Sequence, residues 1–244
     1  VLALLLGAAL ALGVQAVRLP PLVLGQDAIS SPQSRAARVS LRRDAGPVID
    51  IRPPQGETHT LLIDYPGGRV RPQAYEWLGR ALAASGVQTL IPVFPLDLAV
   101  LDPDRADTLI DRFGAGKRVV LAGHSLGGAM AAGYAARFPQ RLDALILHAA
   151  YPPPNTDLRD LSLPVLSLLA ERDGVASPAD VREGRQRLPS GTQLVTLPGA
   201  VHSFFGRSGP QRGDGQPAVS RAEAEAQILE AMQTFLQALP PRHR

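Results

Sequence analysis

The stretch Val119-Val120-Leu121-Ala122-Gly123-His124-Ser125-Leu126-Gly127-Gly128 decides how this chain is read. Its first four residues form an apolar run of the kind buried on both faces of a parallel sheet. Gly123 to Gly127 then spells G-x-S-x-G, and residues 129–138 beyond it are rich in strong helix formers such as Ala129, Met130, Ala131 and Ala132. Strand, G-x-S-x-G and helix together make a nucleophile elbow, which holds a serine hydroxyl at the tip of a strained turn on the carboxyl edge of a sheet. Glycine flanks the serine because a β-carbon at either place would collide with the adjoining strand or helix. The helix N-terminus behind Ser125 offers unpaired N–H groups and a partial positive charge to a developing anion. A tight strand-to-helix turn without chemistry would use the same residue types, so partners for Ser125 must be found elsewhere in the chain.

Outward from this stretch, strands and helices alternate. Residues 39–41 and 48–51 alternate apolar with polar and predict a short antiparallel pair at a sheet edge. Residues 60–63 predict a strand entering the glycine turn Asp64-Tyr65-Pro66-Gly67-Gly68. Residues 72–84 carry apolar side chains at helical spacing, and 87–93 form another strand. Residues 103–113 read as a helix with Asp102 as N-cap and Pro103 in the first position. After the central strand–turn–helix come strands at 142–148, 165–169 and 192–197 and helices at 178–187 and 221–239. This order predicts an α/β fold, a mostly parallel doubly wound sheet with helices on both faces. The connection at 151–163, where a lid would be carried, is short, so no large cap domain is expected. There is no internal repeat.

A serine needs an adjacent base to attack at neutral pH. Of the five histidines, His59 opens a strand at the wrong edge, His124 lies inside the elbow and His243 lies near the terminus. His202 follows the last strand in a glycine-containing loop with room to turn toward Ser125, and His148, at the end of a strand, is its rival. The base in turn needs a carboxylate to fix its tautomer and stabilise the imidazolium. Asp173, just past a strand end and between serine and histidine in the chain, is the first choice, with Glu171 and Asp180 as alternatives. Donors for an oxyanion are expected from the Leu126 N–H and from the turn at Gly67 and Gly68.

Composition bounds the rest. The 244 residues suit one domain with a substantial core, with 45% hydrophobic and 19% charged residues. The net charge of +3 and pI near 9.8 come from scattered arginines, and with only 5% aromatic residues no nucleic-acid face is predicted. The absence of cysteine excludes disulfides, thiolate metal sites and a cysteine nucleophile. No metal-binding spacing occurs, and Gly114-Ala115-Gly116-Lys117 fails as a phosphate loop because it precedes a strand and Arg118 stands where Ser or Thr is required. No organic cofactor is implied.

Residues 1–17 are apolar apart from Gln15 and read as a membrane anchor or signal segment, against a buried core helix. Residues 18–38, with Pro20, Pro21 and Pro32, read as a linker, and 39–244 as the catalytic domain. The protein is accordingly expected to be membrane-anchored or exported, with that domain extracytoplasmic. Oligomeric state is not legible.

The stretches Tyr65-Pro66-Gly67-Gly68, Gly123 to Gly128, Asp173-Gly174-Val175-Ala176 and His202-Ser203-Phe204-Phe205-Gly206 carry a resemblance to the α/β-hydrolase superfamily, in particular its compact "α/β-hydrolase fold-5" branch. Gly209 to Gly215 and Ser220-Arg221 match it as well. The resemblance spans about residues 48–239. It implies a serine hydrolase in which Ser125, Asp173 and His202 form the triad, and it implies a polar Gln where this chain has Phe204. The resulting expectation is a serine hydrolase of carboxylic esters acting on a small-molecule substrate, with Tyr65, His124, Phe204 and Phe205 as pocket candidates. An acyltransferase or a thioesterase/lactonase on the same triad, and a non-catalytic binding protein, are the alternatives. The loop at 206–217, where Asp214 lies between Arg212 and Arg221 and offers a charge-supported turn, is expected to be ordered and to wall the substrate pocket.

Overall fold

A computed structural model describes residues 29–240, with Gly7 before them. Eight strands form one sheet: β1 (Arg38–Arg42), β2 (Val48–Arg52), β3 (Thr60–Tyr65), β4 (Val87–Pro92), β5 (Arg118–His124), β6 (Ala144–His148), β7 (Val165–Ala170) and β8 (Gln193–Leu197). Their spatial order is β1-β2-β4-β3-β5-β6-β7-β8. β2 runs antiparallel to β1 and β4, and every other neighbouring pair is parallel. The expected antiparallel pair therefore forms the sheet edge, and the interior strands are the continuous apolar runs.

Those runs are apolar because both faces are covered. Around the sheet lie helices α1 (Pro32–Ala36), α2 (Glu76–Ala83), α3 (Arg105–Phe113), α4 (Leu126–Arg137), α5 (Pro178–Gly184) and α6 (Arg221–Ala238). Leu61, Ile63, Val119 and Leu121 pack with Leu109 of α3 and Ala131 and Tyr134 of α4. The alternate residues Leu62, Val120, Ala122 and Ile146 pack with Trp77 and Leu78 of α2 and Ile228, Met232 and Phe235 of α6. Each residue step along a strand thus changes core, which pins the register. The connection between β6 and β7, residues 149–164, contains no helix or strand, so no cap domain stands there.

Several boundaries depart from the sequence reading. β3 runs on to Tyr65, so Asp64 and Tyr65 belong to the strand and the turn begins at Pro66. The helix expected from Pro103 starts at Arg105, with Asp104 in the cap position. The cause is distant in sequence: Tyr65 Oη donates to the Pro103 carbonyl at 3.1 Å and accepts from Ala106 N–H at 2.7 Å, taking over the role expected of Asp102. The end of the expected linker is helical: Ser31 caps α1, which packs on α2, and Ala37 is buried. The folded unit therefore begins before residue 39. No helix among the described residues is long and apolar enough to cross a membrane. Apart from Gly7, the anchor or signal expected at 1–17 and most of the expected linker lie outside the described residues.

Candidate active site

The site is built at the carboxyl ends of β3, β5 and β7 and in the loop after β8. Between β5 and α4, Ser125 takes φ 52° and ψ −121°, a positive φ that costs a non-glycine residue about 1–3 kcal/mol. Its N–H donates to the His148 carbonyl at 3.0 Å, which ties the turn to β6. A β-carbon on Gly123 would meet the backbone of Gly127 and Gly128, and one on Gly127 would run into the carbonyls of Tyr65 and Pro66. Both flanking glycines are therefore required by backbone-to-backbone contact. Ser125 itself is only half-buried.

His202 follows β8 in a single helical turn, His202–Phe205, and is fully buried. Its Nδ1 lies 2.7 Å from Asp173 Oδ2. The other oxygen of Asp173 accepts the N–H groups of Val175 and Ala176, both at 2.8 Å. Three polar hydrogens thus converge on one nearly buried carboxylate, and His202 Nε2 is left without a partner among the described residues. The alternatives are occupied elsewhere. Glu171 accepts from Gly199 N–H at 2.8 Å, and Asp180 forms a capping box with Ser177 at the start of α5. His148 faces the core against Phe205, with ring centroids 5.6 Å apart.

At the expected oxyanion position the two glycines differ. Gly67 N–H donates to Tyr75 Oη at 2.9 Å, whereas Gly68 makes no such bond among the described residues. A β-carbon on Gly68 would stand 3.0 Å from Leu126 Cδ2, so Gly68 and the first residue of α4 are neighbours. Leu126 N–H belongs to the first-turn donors that an α-helix leaves unpaired.

The pocket candidates divide. Tyr65 is fully buried, packs edge-on to Phe94 at 4.9 Å and spends its hydroxyl on α3, so it is a core residue. Phe205 is also core, stacked against His124 at 5.4 Å and His148 at 5.6 Å. His124 is buried beneath His202 with ring centroids 4.5 Å apart, and its Nδ1 is 2.8 Å from Tyr75 Oη. Burial first, and then His202 and His148 beside it, push its pKa well below the usual histidine range. Phe204 alone keeps partial exposure, with the Arg221 guanidinium 4.6 Å over its ring.

The loop at 206–217 is held by specific bonds, as expected. The hollow of about 410 Å³ beside it is lined by Phe204, Ser208, Pro210, Gln211 and Arg221, among others, and not by Ser125. The sequence reading placed Asp214 between two arginines. Its carboxylate instead accepts His202 N–H at 3.0 Å and Ser203 N–H at 2.9 Å. Tyr75, which lies in the apolar stretch 72–84, bonds both the Gly67 turn and His124.

An open-edged parallel sheet with a strained serine between β5 and α4, and an acid–histidine pair beyond β7 and β8, defines the α/β-hydrolase class. The chain belongs to the alpha/beta hydrolase family, whose description matches residues 61–226. Among solved structures it is similar to a protein from Thermoplasma acidophilum described as a predicted CIB-like hydrolase. The identity is 16% and the TM-score 0.64, over 83% of this chain and 99% of that one, a likeness of fold. No curated protein matches.

Proposed function

We propose that this protein is a serine hydrolase that cleaves carboxylic esters through an acyl-enzyme. Family membership supports hydrolysis; the observation that carries the finer reading is the His202 Nδ1–Asp173 Oδ2 contact of 2.7 Å in the same fold as a strained Ser125. Ser125 Oγ attacks the ester carbonyl while His202 Nε2 takes its proton. Asp173 holds the Nδ1–H tautomer and stabilises the imidazolium. The oxyanion is received by the N–H groups of Leu126 and Gly68, each such donor contributing about 3 kcal/mol in the transition state. His202 then returns the proton to the leaving alcohol, and water repeats the sequence on the acyl-enzyme. Gly67 is the weaker donor candidate, since its N–H would first have to leave Tyr75 Oη.

The apolar run at residues 1–17 supports a second part of this reading, a membrane-anchored or exported protein with its hydrolase unit on the extracytoplasmic side. Turnover of p-nitrophenyl esters of increasing chain length tests the chemistry. Wild type should hydrolyse at least the short members, and Ser125→Ala and Asp173→Asn should each lose about 10³-fold or more in kcat with the fold intact. Equal turnover by wild type and a clean Ser125→Ala preparation would refute it.

A further inference from the structure

We propose that Asp214 is a positioning residue, a clamp that fixes the backbone of His202 against the Asp173 loop and so sets how the imidazole is presented to Ser125. The inference rests on the serine-hydrolase reading for its catalytic consequence, but the clamp itself is a structural claim that can be read without turnover.

Asp214 sits in the loop between the His202 turn and α6. Its Oδ1 accepts His202 N–H at 3.0 Å and its own neighbour Gly215 N–H at 2.8 Å, and its Oδ2 accepts Ser203 N–H at 2.9 Å. Oδ1 also lies 3.4 Å from the N–H of Gly174, the residue after Asp173. One carboxylate thus gathers donors from the histidine loop, the acid loop and its own loop. The N–H groups of His202 and Ser203 open a one-turn helix and have no partner within it, so the carboxylate caps that turn from a distance in sequence. Hydrogen bonds to an ionised acceptor are roughly twice as strong as neutral ones, which favours a carboxylate at this place.

The loops are also in direct backbone contact at this point. A β-carbon on Gly174 would run into the Gly213 carbonyl, and one on Gly215 into the Arg172 carbonyl. Glycine at both positions lets the acid loop and the Asp214 loop touch with nothing between them. The complementary groups are held from the other side: Arg221 of α6 donates to the carbonyls of Ser203 at 3.2 Å, Gly206 at 2.7 Å and Ser208 at 3.3 Å. The first two donors of the histidine loop thus go to Asp214, and three of its carbonyls go to Arg221. A segment that only had to connect β8 to α6 would not need this convergence on His202 and the residue after it.

Loss of the clamp lets the His202 backbone shift relative to Asp173, and a displacement of about 1 Å at a reacting group costs on the order of 10²-fold in rate. Two readouts on Asp214→Ala and Asp214→Asn separate positioning from bulk stability. The first is the low-field proton NMR resonance of His202 Nδ1–H, assigned by its disappearance in Asp173→Asn. The second is kcat against KM for p-nitrophenyl acetate. The resonance should move upfield or broaden in Asp214→Ala, with Asp214→Asn, which keeps one acceptor oxygen, between it and wild type. In step with this, kcat should fall between about 10- and 100-fold in Asp214→Ala with KM changing little. A folded Asp214→Ala with unchanged resonance and unchanged kcat overturns the proposal. Should Asp214→Ala fail to fold, Asp214→Asn decides alone, and failure of both to fold overturns it by making Asp214 a residue of global stability. If no ester is turned over even by wild type, the function reading fails while the resonance still tests the clamp.

Discussion

Ser125 and Asp64 show opposite ways in which single residues here carry a cost. Ser125 holds a positive φ that alanine or serine resists, and the cost is met because the turn is locked by Gly123, Gly127 and the bond to His148. Asp64, next to last in β3, is fully buried with neither carboxylate oxygen partnered among the described residues. Burial pushes its pKa up to about 7, while the same desolvation pushes buried His148 down to about 3. Both groups are therefore neutral in the native protein in the mildly acidic range, in a layer that also holds Tyr75, His124, His202 and Phe205. The two act on stability with opposite sign. An acid whose folded pKa is raised stabilises the native state at low pH and loses that contribution as pH rises toward 7. A histidine whose folded pKa is depressed contributes at high pH and loses that contribution as pH falls from about 6.5 toward 3. Between about pH 4 and 6.5 the Asp64 contribution offsets one histidine's. Asp64→Asn removes the offset, so its unfolding free energy should climb with pH more steeply than wild type, by about 1.4 kcal/mol per pH unit. Urea denaturation at several pH values measures this, and parallel profiles for the two proteins would show that Asp64 is ionised in the native state.

At the scale of elements, what could be read from the sequence follows from which forces are local. The interior strands were legible because burial on both faces demands uninterrupted apolar runs, as in 119–122 and 144–147, and these are visible without neighbours. Their spatial order was not, since nothing within a strand says which strand lies beside it. The start of α3 was misread because its capping group is the Tyr65 hydroxyl, delivered from β3, while Asp102 and Pro103 offered a plausible local alternative. Tyr65 and Phe205 were expected at the pocket because each adjoins a site motif, yet strand alternation and ring stacking bury both. The acid–histidine pair was legible because its order along the chain is itself informative. Asp214 was noticed only as a charge between arginines. Its real partners are backbone N–H groups, which no side-chain pattern announces.

The whole molecule sets one sheet with the candidate site along its carboxyl edge, and in the sequence an apolar run precedes it. α1 packs on α2, and Ser31 caps it by accepting from Ser34 N–H at 3.1 Å. A truncation that leaves the fold whole therefore has to end before Ile29. Removing residues 1–28 should release the protein from membranes into the soluble fraction, with ester turnover and melting temperature retained. Ultracentrifugation of both forms is the check: a full chain that stays in the supernatant would refute the anchor, and a truncated form that unfolds would make 1–28 part of the core.

An activated nucleophile at Ser125 should react stoichiometrically with a fluorophosphonate, and peptide mass mapping locates the adduct. One adduct per chain on Ser125 is predicted, lost in Ser125→Ala and strongly slowed in His202→Ala. An unlabelled wild type, or an adduct on any other residue, would mean that Ser125 is not the nucleophile.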